Sequence, residues 1–191
     1  MTTSPLRLHF TVDDLELMPH VEGARYELVD GELYVSTAPS WQHQTVCGDL
    51  YAALRDWSKQ AGGGFATSGA GLVFDPLNAV IPDVVWVSQS RVAQVYGADG
   101  KLHGAPDLVV EVLSPGTTNT VRDGQVKLGQ YSRWAVREYW IVDWQRRQVE
   151  VYRPAGGALN LDVVLSAGES LTSPLLSGFS LPLPQLFAGL P

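Results

Sequence analysis

Two carboxylates, Asp83 and Glu111, and one ammonium, Lys127, are the groups in this chain whose types and surroundings point to chemistry. Glu111 interrupts the apolar run Leu108-Val109-Val110-Glu111-Val112-Leu113, which reads as a strand buried in a sheet. A carboxylate there is costly: it stays protonated or finds a metal ion, a basic side chain or backbone donors. Side chains alternate across a strand, so Asp107 and Glu111 are expected to point the same way. From this strand alone, a structural acid that accepts backbone N–H groups or pairs an arginine accounts for Glu111 as well as a functional one does. A second run, Ile81-Pro82-Asp83-Val84-Val85-Trp86-Val87, also begins on an acid, and Pro82, having no ladder donor, suits a strand start. If the two strands are neighbours, Asp83 and Glu111 converge on one cation, and paired oxygen ligands suit Mg2+ or Mn2+. Such an ion beside an ammonium is equipped to polarise a phosphoryl group and stabilise developing charge.

These groups need a sheet and a helix to hold them. A helix is expected from about Asn119 to Trp134, with Val121, Leu128, Tyr131, Trp134 and Ala135 as its apolar stripe. Lys127 lies on the edge of that stripe, where it can extend to solvent or reach over the sheet towards Glu111. Tyr139 to Val142 reads as a central strand, and Gln148 to Tyr152 turns back beside it. Before the site, Thr11 caps a short helix from Val12 to Met18, and Tyr26 to Thr37 is a hairpin turning at Asp30-Gly31. Glu27, within that hairpin, can face the site or water. Ser40 caps a core helix from Trp41 to about Gln60 that ends at Gly62-Gly63-Gly64. His43 falls in its first turn, where histidine is more often a capping or surface residue than a ligand. Short strands follow near Phe65 to Ser68 and Leu72 to Phe74. The segment from Ser88 to Lys101 reads as a short helix and loop, and Leu159 to Leu165 as an edge strand.

A chain of 191 residues fits one domain, 1–191. It divides into an N-terminal helix and hairpin (1–37), a core with the site (38–153), and a C-terminal edge strand and packing tail (154–191). With 45% hydrophobic and 17% charged residues the composition is that of an ordinary globular protein, and the strands and helices read above make the expected fold class α/β (α+β mixed). The single cysteine, Cys47, excludes an internal disulfide and a thiolate zinc motif, and reads as a small buried residue of the core helix. No signal peptide or membrane-length apolar run is visible, so a cytoplasmic protein with no membrane partner is expected. The net charge of −7 argues against a generic nucleic-acid coat protein. Between Arg122 and Arg153, however, seven basic residues outnumber four acidic ones. That segment is compatible with a phosphate-bearing substrate, although a solvated basic hairpin gives the same pattern. No glycine-rich phosphate loop or dinucleotide fingerprint supports a metabolic α/β enzyme.

The ordered set Pro82-Asp83, Pro106-Asp107-x3-Glu111-Val112-Leu113-Ser114-Pro115, Asp123-x3-Lys127-x3-Tyr131 and Glu138-Tyr139-Trp140-Ile141-Val142-Asp143 resembles the Uma-two family of the PD-(D/E)XK nuclease superfamily. The likeness extends to the early hairpin, His43 and the Phe179 to Phe187 tail. It implies a restriction-endonuclease-like fold, a central mixed β-sheet flanked by helices. It also implies a Mg2+- or Mn2+-dependent endonuclease with DNA as substrate, and a homodimer if two strands are cut. Carried over, Asp83 and Glu111 are the metal-binding acids and the main-chain carbonyl of Val112 a further ligand. The superfamily's lysine position is occupied by Leu113, and Lys127 on the helix takes its place. Asp107 and Glu27 become supporting acids, with Tyr131 and His43 as lesser neighbours. The displaced lysine and the acidic balance leave a second reading, a nuclease-fold module that binds nucleic acid or protein without cutting.

Overall fold

The structure, a computed structural model, describes residues 9–61, 63–114 and 120–190, with side chains from Val126 onward in the last stretch. The expected strand stop at Pro115-Gly116, the helix start at Asn119 and the side chains of Val121 and Asp123 lie outside the described residues, as does Gly62.

The chain begins with helix α1 (Val12–Glu16), whose N-cap Thr11 and third residue Asp14 form a reciprocal capping box. Strands β1 (Arg25–Val29) and β2 (Glu32–Ser36) make the expected hairpin. Its Asp30-Gly31 turn has positive φ at both residues, 51° and 75°, the geometry that matches strand twist. Helix α2 (Trp41–Ala61) follows, its first turn capped by Ser40 Oγ accepting from His43 N. Val46, Leu50 and Leu54 form its buried stripe. Then come β3 (Gly64–Ser68), β4 (Leu72–Asp75), β5 (Asn78–Val80), β6 (Val84–Ser88), α3 (Val92–Val95), β7 (Leu102–His103) and β8 (Leu108–Val112). Helix α4 (Thr120–Arg133) leads to β9 (Glu138–Asp143), β10 (Gln148–Ala155) and β11 (Ala158–Leu165). The tail is a two-stranded ribbon, β12 (Ser170–Thr172) with β13 (Ser180–Pro182), and a last helical turn, α5 (Leu183–Leu186).

The central sheet has six strands in the order β11-β10-β9-β8-β6-β3, mixed because β8 and β9 run parallel while their neighbours are antiparallel. This is the expected restriction-endonuclease-like architecture. The sequence reading did not anticipate a second sheet of five strands, β2-β1-β5-β4-β7, assembled from the hairpin and short strands on either side of β6. Both faces of the inner strands β6, β8 and β9 are covered, so these read as near-continuous apolar runs. On one face Val84, Trp86, Val110, Trp140 and Val142 pack against α2 and the tail, whose Leu186 and Phe187 are buried. On the other, Val85, Val109, Tyr139 and Ile141 meet Tyr131 of α4 and Val29, Leu72 and Val80 of the second sheet. No helix among the described residues is long and apolar enough to cross a membrane.

Candidate active site

The chain crosses from the five-stranded sheet to the central one through Ile81, Pro82 and Asp83, between β5 and β6. Asp83 therefore sits just before its strand, one step beyond the last pair of the β6/β8 ladder, Val84↔Val110, which brings it across from Glu111. Its carboxylate continues the ladder that the backbone has left: Oδ2 accepts the Val112 N–H at 2.9 Å. A strand residue turns its N–H and C=O to the same side, so the Val112 carbonyl also faces Asp83, against the His43 ring. His43 Nε2 lies 3.3 Å from Asp83 Oδ2 and Arg25 Nη1 3.6 Å from Oδ1. Burial alone would raise the Asp83 carboxyl, but the His43 bond and charge, the Val112 N–H and the Lys127 charge hold it below the ordinary aspartate value. Burial likewise works against a charged imidazole, and the bond to Asp83 overcomes it, raising His43.

Glu111 projects from β8 on the opposite face from Val110 and Val112, towards α4. Its Oε1 accepts the Tyr131 hydroxyl at 2.6 Å and the Lys127 ammonium at 3.1 Å. Both bonds fall on Oε1, and Oε2 meets no hydrogen-bond donor among the described residues. Burial pushes the Glu111 carboxyl up to about 7; Lys127 pulls it down, while the negative charges of Asp83 and Glu27 add to the rise. Lys127 is also 3.1 Å from Glu27 Oε1, which in turn accepts the Ile81 N–H at 2.7 Å. The ammonium thus bridges an acid from each sheet. Burial opposes its charge, but Glu111 and Glu27 raise its pKa, so it stays an ammonium at neutral pH. Tyr131, fully buried, is raised well above an ordinary phenol by burial and by Glu111, and remains a proton donor to that carboxylate.

The structure brings together Asp83, Glu111, Lys127, Glu27, Tyr131, His43 and the Val112 main chain. It does not bring Asp107 to them. Asp107 precedes β8 at the other end of the strand, roughly 13 Å along the chain from Glu111 at about 3.3 Å per residue. Its fully buried carboxylate accepts Ser88 N–H at 2.8 Å and one guanidinium N–H each from Arg91 and Arg137 at 2.9 Å. The expected supporting acid is instead a structural staple, and because it stands outside the regular strand, the alternation argument does not set its direction.

Two neighbours were not singled out from the sequence. Arg25 shares a face of β1 with Glu27 by simple alternation, so whatever turns Glu27 inward turns Arg25 inward too. Cys47 is buried in α2 as expected, but stands one helical turn after His43 with Sγ 3.4 Å from Nδ1. Burial and the nearby carboxylates raise its thiol, keeping it protonated. Ligand atoms of His43, Cys47 and Asp83 all lie within 4.8 Å of one another. An imidazole, a thiol and a carboxylate at this spacing could hold a divalent ion, with the Val112 main chain and the Glu111 carboxylate nearby. Asp83 and Glu27 repel Glu111, a repulsion that a cation between them would relieve.

Comparisons with known proteins agree with the fold. The family described as "Uma2: Putative restriction endonuclease" matches residues 12–184. The crystal structure of a putative nuclease belonging to DUF820 from Anabaena variabilis superposes with a TM-score of 0.75 at 20% sequence identity, covering 93% of this chain and 97% of that one. No curated protein matches the chain.

Proposed function

The chain belongs to the Uma2 family of putative restriction endonucleases, and we propose that it is a metal-dependent endonuclease that hydrolyses DNA phosphodiester bonds at Asp83, Glu111 and Lys127. The observation that supports this most is the convergence of the two acids from adjacent strands at one end of the central sheet, with the Lys127 ammonium bonded to Glu111. Asp83, Glu111 and the Val112 carbonyl would hold Mg2+ or Mn2+, which when bound supplies Lewis-acid polarisation of the phosphoryl group and eases formation of a nucleophile from water. Lys127 provides fixed positive charge beside the position where negative charge grows, in a site where solvent is largely excluded. Tyr131 and Glu27 hold Glu111 and Lys127 in place from two different elements. Arg25, one-third exposed beside Asp83, is placed to meet a phosphate entering from solvent.

A second reading, a nuclease-fold module that binds without cutting, is favoured by one observation: the Lys127 ammonium is already engaged by two carboxylates. Supercoiled plasmid with Mg2+ or Mn2+ separates the two. Nicking by the wild type that is lost in both Glu111→Ala and Lys127→Ala supports the enzyme. Retained cutting in both variants sinks the site assignment, and DNA binding without any cutting by the wild type supports the module.

A further inference from the structure

His43 occupies a position that the acids and the lysine do not require. Its ring is 4% exposed and reaches across from α2 to the end of the central sheet. One nitrogen, Nε2, is 3.3 Å from Asp83 Oδ2; the other, Nδ1, is 3.4 Å from Cys47 Sγ. Two atoms bound to one divalent ion at about 2.0–2.2 Å lie roughly 3–3.5 Å apart, so the Nε2 to Oδ2 separation is already that of two ligands of a shared ion. The ring cannot turn both nitrogens to that ion, and the Cys47 sulfur, within 4.8 Å of an Asp83 carboxylate oxygen, is in contact with Nδ1. Histidines that bind metals through one nitrogen anchor the other in a hydrogen bond that fixes ring orientation and tautomer. A thiol suits this place because it can donate through S–H or accept at sulfur.

We propose that His43 Nε2 is a direct ligand of the ion held by Asp83, and that Cys47 is its positioning residue, switching from donor to acceptor as the ion enters. Without the ion, Nε2–H donates to Asp83 and the thiol donates to Nδ1. With it, Nε2 gives its lone pair to the ion, the ring proton resides on Nδ1, and Nδ1–H donates to the Cys47 sulfur. In this exchange of tautomers the neutral ring keeps one proton and the thiol its own, while any ring held as imidazolium beside Asp83 releases its Nε2 proton to solvent as the ion enters. This deepens the metal reading of the proposed function and rests on it. It also sets an ion preference: an imidazole in the coordination set favours Mn2+ over Mg2+, whose preferred partners are oxygen.

Pulsed electron paramagnetic resonance of Mn2+ added to the full chain tests this directly. The expected result is a 14N coupling from a bound imidazole that becomes a 15N coupling when histidine is isotopically labelled. His43→Gln should lose that coupling and weaken Mn2+ binding at least 10-fold while Mg2+ binding changes less. Cys47→Ala should keep the coupling but bind Mn2+ about 10-fold more weakly, and Cys47→Ser should restore most of the loss. Mn2+ bound by the wild type with no nitrogen coupling overturns the proposal and leaves the metal reading of Asp83 standing. No Mn2+ bound at all overturns both. With Co2+, a sulfur-to-metal charge-transfer band would make Cys47 a ligand and overturn its positioning role. Because the decisive spectra are of the wild type, the test does not depend on a variant folding.

Discussion

Replacing Lys127 by methionine keeps the length of the side chain and removes the charge that joins the two sheets. In the structure its Nζ is 3.1 Å from both Glu27 Oε1 and Glu111 Oε1, with the three side chains only 17%, 13% and 13% exposed. Removing one member of a buried ion pair costs about 3–5 kcal/mol because the partner charge is stranded. Here two carboxylates are stranded, but the Ile81 N–H and the Tyr131 hydroxyl still donate to them, which places the loss near the lower end, about 3 kcal/mol. For a domain of this size each kcal/mol lowers Tm by about 2–4 °C, so a drop of roughly 6–12 °C is expected in thermal unfolding followed by circular dichroism with chelator present. Adding Glu27→Gln removes one stranded charge and should recover part of the loss, a coupling of about 0.5–3 kcal/mol between the two positions. Plasmid nicking should fall by about 10²–10³-fold in Lys127→Met and stay low in the double variant. A Tm within about 2 °C of wild type, equivalent to about 0.5–1 kcal/mol, refutes the buried bridge. Cutting that returns together with stability would show that the lysine serves only the fold.

Other substitutions probe the neighbours. Tyr131→Phe retains the ring contacts with Tyr139 and Phe74 but deletes the donor to Glu111, and should cost about 1.5–3 kcal/mol in urea unfolding with nicking reduced. Asp83→Asn keeps an oxygen for the Val112 N–H, so the variant should fold, while isothermal titration detects no tight Mn2+ binding and nicking disappears. At Asp107, burial alone would raise the carboxyl, but Ser88 N–H, Arg91 and Arg137 together hold it below the ordinary value. A depressed carboxyl stabilises the fold above its unfolded pKa, and the contribution is lost as pH falls through the folded value. Asp107→Asn should therefore lower the urea midpoint at pH 7, and the gap from wild type should narrow below about pH 4; a gap that widens in acid contradicts the assignment.

Much of the candidate site's geometry was legible because the signals were local. A carboxylate inside a β-branched run announces itself by its cost, and Glu111 indeed required a lysine and a tyrosine from α4. The Asp30-Gly31 turn and the Thr11 and Ser40 caps are set by backbone geometry over a few residues. What the sequence hid was long-range. Nothing in Asn78 to Val80 or Leu102 to His103 marks three- and two-residue strands, because their partners lie in the hairpin and in each other's neighbours. The position of His43 was hidden for the same reason: a first-turn histidine looks like a surface residue until the packing of α2 on the central sheet carries it to Asp83. Asp107 was overweighted because period-two alternation was extended past the end of the regular strand.

The three-residue crossing from β5 to β6 gives the molecule leverage. Asp83 ends that crossing and Glu27 accepts the N–H that begins it, so the two acids are coupled through one short piece of backbone anchored in different sheets. A displacement of Asp83 would act through this backbone on both the hairpin sheet and the Lys127 bridge. If Asp83 holds an ion as proposed, amide exchange in β1 and β2 should slow when Mn2+ binds, although none of the proposed ligands lies on β2.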